Sequence, residues 1–130
     1  MSALSDCMAV LRVWGETPGK VERWNPHSHK REDLWGFVDL ISVGEFTIRF
    51  IQVFDERHGS RRNQHLDKIL TGPMRHVVEQ LLKNYASVEL WGLRKSTRKG
   101  KFFHRSVLKL TLEGDIRVIE DDINMRGRTL

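Results

Sequence analysis

Two runs of branched and aromatic residues, Phe37 to Val43 and Thr47 to Phe54, stand on either side of Gly44-Glu45. Such residues fit a pleated, half-buried surface, and glycine at the first central position suits a two-residue type II′ turn. The pattern predicts a β-hairpin around which the rest of the chain must be arranged. With that turn Val43 faces Phe46, Ser42 faces Thr47 and Asp39 faces Phe50. Gln52, two residues beyond Phe50, then shares a face with Asp39, the Cβ atoms of such diagonal neighbours lying roughly 7 Å apart. A turn one residue longer or shorter would reverse the parity and separate them.

The remaining elements follow from periodicity and punctuation. Ser2 or Ser5 caps a first helix running to about Trp14, with Leu4, Met8 and Leu11 along one stripe. Gly15-Glu16-Thr17-Pro18-Gly19 breaks it. Val21 to Trp24 makes a brief extended segment, halted by Asn25-Pro26, and a polar loop covers His27 to Glu32. After the hairpin, Arg61 to Leu70 reads as a helix. Thr71-Gly72-Pro73 punctuates it, and a second helix runs to about Asn84, burying Met74, Val77, Val78, Leu81 and Leu82. Ser87 to Leu93 is a strand, followed by a basic loop. Ser106 to Leu112 is another strand, and Gly114-Asp115 turns it into a short one, Ile116 to Ile119. The last ten residues, highly charged, are expected to fray. The expectation is one α/β (α+β) domain over residues 1–130, with a central mixed sheet of four to five strands flanked by helices.

A chain of 130 residues, 39% hydrophobic and 30% charged, buries one core without help from disulfides, and its lone Cys7 forms none within the chain. That cysteine usage suits a reducing cytoplasm. No apolar run approaches the roughly 20 residues that span a bilayer, and Met1 to Trp14 reads as a helix rather than a signal peptide. A membrane partner is not expected. The net charge of +5 favours a polyanion. Basic residues gather between Arg57 and Arg62 and again between Arg94 and Lys101. Either cluster alone reads equally as a solvated surface, whereas two flanking a candidate site favour a nucleic-acid groove. Arg61, Arg62, Arg94, Lys95, Arg98, Lys99 and Lys101 are its candidate phosphate contacts.

Asp39 interrupts Phe37, Val38, Leu40 and Ile41, where a small domain would place apolar side chains. A carboxylate there must be paired, hydrogen-bonded or metal-bound. One reading is a strand-end aspartate facing solvent or an arginine. The other is a hard-cation site, in which Asp39, the Gln52 amide oxygen, the Val53 carbonyl and waters make an octahedral shell. Six histidines lack the spacing of a zinc site, and no cysteine pair accompanies them. Trp24 and Trp35 are open to two readings, base stacking or core, with core the reading favoured for Trp35, and Trp91 reads as strand packing.

The segment Lys20 to Asp55 carries Val21-Glu22 with Trp24-Asn25-Pro26, then Arg31, Asp33, Leu34, Gly36 and Asp39 in the pattern R-x-D-L-x-G-x-x-D, then Ile51-Gln52-Val53; Trp91 to Lys95 reads WGLRK. These elements resemble a group of phage and bacterial proteins of the PD-(D/E)xK nuclease superfamily, which includes Holliday-junction resolvases and restriction-type endonucleases. The resemblance implies a restriction-endonuclease-like fold and an endonuclease that hydrolyses phosphodiester bonds in DNA, with Mg2+ or Mn2+ as cofactor. It implies a branched substrate and a homodimer as further expectations, in a bacterial or phage-infected cell. Carried over, Asp39 is the metal-binding aspartate, Gln52 the acidic position of the (D/E)xK element, and Glu22 the upstream acidic residue, with Glu16 as alternative. Asp33 is a supporting group. The lysine expected two residues after Gln52 is missing, because Phe54 stands there. Lys68 on the following helix is its substitute candidate, with Arg62 second. The rival reading is a nucleic-acid-binding module that has the fold without the catalysis. A third, an interaction domain with solvating basic loops, predicts no salt-sensitive affinity for nucleic acid.

Overall fold

The computed structural model describes residues 2–59 and 61–130. Three helices and a mixed sheet make one α+β domain. The first helix, α1 (Ala3–Val13), begins where Ser2 accepts the Ser5 N–H at 3.1 Å. Its Cys7, Val10 and Leu11, at spacings of three and four, are fully buried.

The main sheet holds β1 (Thr17–Lys20), β4 (Leu40–Val43), β5 (Ile48–Asp55), β6 (Ser87–Ser96), β7 (Gly100–Leu110) and β8 (Ile116–Asn124), side by side in that order. Strands β2 (Arg23–Asn25) and β3 (Lys30–Glu32) pair separately. Only the β5–β6 pair of the main sheet is parallel. That pairing requires a crossover, supplied by α2 (Arg62–Thr71) and α3 (Arg75–Lys83).

The central strands of the sheet are buried on both faces. Leu40, Ile51, Trp91, Leu93, Phe103 and Ile123 pack toward α1, while Phe54, Val88, Leu90 and Leu108 join Ile69 and Val78 of α2 and α3. Burial on both sides explains why β6 reads as a nearly unbroken apolar run. The polar exception within it is Glu89, which takes Arg49 at 2.7 Å, Arg105 at 3.1 Å, Ser87 Oγ at 2.6 Å and Trp91 Nε1 at 2.9 Å.

Four expectations need correction. The sheet has six strands, not four or five, because Thr17–Lys20 forms an edge strand despite Pro18 and Gly19; edge strands tolerate proline. The polar segment after Pro26 contains β3. The basic stretch is not a loop but the β6–β7 hairpin, with Arg94 and Lys95 in β6 and Lys101 in β7. The C-terminus does not fray. β8 continues through the buried Ile123, Asn124 Oδ1 accepts the N–H groups of Arg126 and Arg128, and Leu130 N–H donates back to the Asp122 carbonyl at 2.9 Å. Trp14 Nε1 closes the fold by donating to the Gly127 carbonyl at 2.7 Å. No helix among the described residues is long and apolar enough to cross a membrane.

Candidate functional site

The β4–β5 connection is a four-residue loop, Gly44 to Thr47, closed by the Gly44 N–H on the Thr47 carbonyl at 2.8 Å. Val43 therefore faces Ile48 instead of Phe46. The shift is two residues, so the parity survives and Asp39 and Gln52 remain on one face. The paired register ends at Leu40 and Ile51; just beyond it the Asp39 N–H reaches the Ile51 carbonyl, and Asp39 and Gln52 line the same cleft.

Asp39 lies immediately before β4. Its N–H donates to the Ile51 carbonyl at 2.9 Å, its carbonyl accepts from Val21 N–H at 3.0 Å, and its Oδ2 accepts from Val53 N–H at 2.8 Å. What the structure shows of Val53 at the site is thus its N–H, where a carbonyl ligand was expected. The Val21 bond brings the next residue, Glu22, to the same place, and Arg31 Nη1 holds Glu22 Oε1 at 3.0 Å.

Asp33 arrives through a tight turn. Leu34 bridges Val38, and Trp35 and Gly36 between them have φ of 54° and 76°. Two successive left-handed residues make a type I′ turn, easy for glycine and strained for tryptophan. One carboxylate oxygen each from Glu22, Asp33 and Asp39 falls within 4.8 Å of the others. No histidine belongs to this group, which among the described residues is the one cluster with metal-ligand spacing.

The neighbours of Asp39 disturb its ionisation. The Asp39 carboxyl is pushed up to about 8, first by burial, then by its hydrogen bond with Asp33 and by repulsion from Asp33 and Glu22; the Val53 N–H opposes the rise. At neutral pH Asp39 therefore keeps its proton. Gln52 is 5% exposed, and its Oε1 has no hydrogen-bond partner. Asp39 and Gln52 line one cleft of about 720 Å³ together with Asp33, Asp55, His58, Arg61 and His65. Three carboxylates and an unsatisfied amide oxygen form a hard-oxygen donor set that fits Mg2+ or Mn2+.

Several expected residues lie elsewhere. Glu16 pairs with Arg49 at 2.9 Å and accepts from Ser42, outside the site. Arg62 is buried, donating to Glu56, Ser106 and the His104 carbonyl, so it is a core cation and not a phosphate contact. Lys68 Nζ donates to the Gly36 carbonyl and lines a neighbouring pocket that shares Asp33 but not Asp39 or Gln52. Its contact steadies the turn bearing Asp33. Arg94 reaches Glu56 at 3.3 Å, Lys99 reaches Asp122 at 3.6 Å and Lys101 reaches Asp6 at 3.1 Å. Lys95 and Arg98 are exposed and make no ion pair among the described residues. Trp35 is 40% exposed, its ring beside Phe37 and Phe50, so it is not the core residue it was expected to be, and Trp24 is exposed as well.

Sequence reasoning missed His65. Its ring packs on Phe54 with centroids 4.6 Å apart, at the edge of the same cleft. No local pattern marks it, since the contact exists only after α2 folds back over β5. No protein-family model matches the sequence, and no curated protein matches it.

Proposed function

We propose that the chain is a metal-dependent phosphodiesterase acting on DNA, an endonuclease of the PD-(D/E)xK kind. Glu22, Asp33, Asp39 and Gln52 would hold Mg2+ or Mn2+. The observation that carries this reading is the convergence of three carboxylates within 4.8 Å beside a buried, unpartnered Gln52 Oε1. Such a group is costly to assemble unless positive charge joins it. When bound, the ion would lower the pKa of a water and offset charge on the phosphate.

The protein's own groups supply the rest. Val53 N–H and the turn at Trp35-Gly36 fix the two aspartates, and Arg31 orients Glu22. Arg61 faces the same cleft as a phosphate contact. The β6–β7 hairpin extends three residues beyond Leu93, the partner of Asp55. At about 3.3 Å per residue it reaches roughly 10 Å past the site, carrying Lys95 and Arg98 toward a neighbouring stretch of backbone.

The test is cleavage of duplex, flap and four-way-junction DNA with Mn2+, Mg2+ or EDTA, comparing the protein with Asp39→Ala. Metal-dependent cutting that the variant loses supports the reading, and substrate preference names the subclass. A second reading, binding without cleavage, is favoured by Phe54 in the lysine position and by the engagement of Lys68 with Gly36. Salt-sensitive DNA binding with no cutting under any metal would select it.

A further inference from the structure

We propose that His65 is the proton acceptor for the attacking water at this site, in place of the lysine absent at Phe54. This inference rests on the phosphodiesterase reading above. Phe54, largely buried in β5 at the lining of the cleft, gives a flat apolar platform on which α2 lays the His65 ring at 4.6 Å and an interplanar angle of 38°. The contact fixes the ring plane without consuming either nitrogen. The His65 ring makes no hydrogen bond among the described residues, while Asp39, Gln52 and Arg61 line the same cleft. His58 also lines that cleft, but from an exposed turn and with no packing partner of this kind.

The surroundings keep the ring neutral near pH 7. Burial lowers its pKa first, followed by Lys68, Arg61 and, more weakly, Arg62 on its own helix, while Asp33 from the facing turn opposes them. Asp39, Asp55 and His58 are the other titratable groups of the cleft walls. A neutral imidazole accepts a proton, whereas a lysine ammonium must first lose one.

In the step, the water oxygen forms a bond to phosphorus while its proton passes to an imidazole nitrogen. The bond from phosphorus to the departing sugar oxygen breaks with its electron pair, and that oxygen takes a proton from solvent. The imidazolium then releases its own proton to solvent.

The experiment measures Mn2+-dependent nicking of supercoiled plasmid between pH 5 and 9 by the full chain and by His65→Ala, His65→Gln and His58→Ala. Mn2+ affinity is measured by calorimetry alongside. The expected result is an acidic limb in the wild-type rate with an apparent pKa below the ordinary histidine value. In both His65 variants the rate falls by about 100-fold or more and the limb disappears. Mn2+ affinity stays unchanged, and added imidazole restores part of the rate of His65→Ala. Cleavage within threefold of wild type in the His65 variants, or a limb lost only in His58→Ala, overturns the inference and leaves the hydrolase reading standing. A wild type that binds Mn2+ and cuts nothing overturns both. Should the variants fail to fold, the wild-type limb is compared with the His65 titration followed by NMR, and a mismatch overturns the assignment.

Discussion

The Val53 N–H donates to Asp39 Oδ2 at 2.8 Å, yet this single bond does not bring the Asp39 carboxyl down to an ordinary value. Burial and the neighbouring Asp33 and Glu22 prevail. Between the ordinary value of 3.8 and about 8, the folded protein carries a proton that the unfolded chain has lost. Stability of the metal-free protein must then fall as pH rises through that window, by about 1.4 kcal/mol per unit for one proton. Asp39→Asn should remove this slope and be the more stable protein at pH 8. Denaturant titrations in EDTA at pH 5, 6.5 and 8 decide it, and parallel pH dependences for the two proteins would refute the account. Mn2+ should raise the melting temperature of wild type and not of the variant.

Glu89 gives a contrasting case. It is buried between Arg49 and Arg105, and those cations hold its pKa below the usual carboxylate range against the burial. Glu89→Gln leaves two arginines without their shared partner and should cost about 3–5 kcal/mol. Since the folded pKa is depressed, the contribution of Glu89 is present above the ordinary carboxylate value and disappears as pH falls below it. Equilibrium unfolding at pH 7 and pH 3 should show the variant's deficit shrinking in acid.

Gly92 is required for space rather than for conformation. A Cβ built there would lie 1.9 Å from Glu56 Oε1 and 2.7 Å from Arg62 Nη2. Gly92→Ala should therefore destabilise by about 1–3 kcal/mol, as overpacking does. A melting temperature equal to wild type would show that the Glu56–Arg62 pair relocates freely.

The basic hairpin makes a prediction about binding alone. Replacing Lys95 and Arg98 by alanine should weaken DNA affinity and reduce the slope of log affinity against log salt by about 0.9 per charge removed. Folding and Mn2+ affinity should not change. Fluorescence anisotropy across a salt series measures the slope, and an unchanged value would take the hairpin out of the DNA interface.

How much of this was legible depended on element length and on parity. The α1 stripe, the branched and aromatic run of β5 and the apolar run of β6 are long enough for the pattern to speak. The β4–β5 loop was misjudged by two residues, but a period of two makes that error harmless to the side on which Asp39 and Gln52 lie. Thr17 to Lys20 gave no strand signal because proline and glycine are tolerated only where a neighbour is missing on one side. The charges of the last ten residues suggested fraying; the partners of Asp121 and Asp122, Arg105 and His104, come from a strand that sequence distance conceals. The same concealment hid the burial of Arg62 and the place of His65. Both depend on how α2 lands on the sheet.

The hydrogen bond from Trp14 to Gly127 joins positions 113 residues apart. Contacts of such separation slow folding, because the intervening chain must be ordered before they form. On the ribosome, α1 is made before the sheet, and its closing contact must wait until the last turn of the sheet has emerged. Until then the growing chain holds the apolar face of α1 without its final partner, an interval in which a chaperone would find its binding surface.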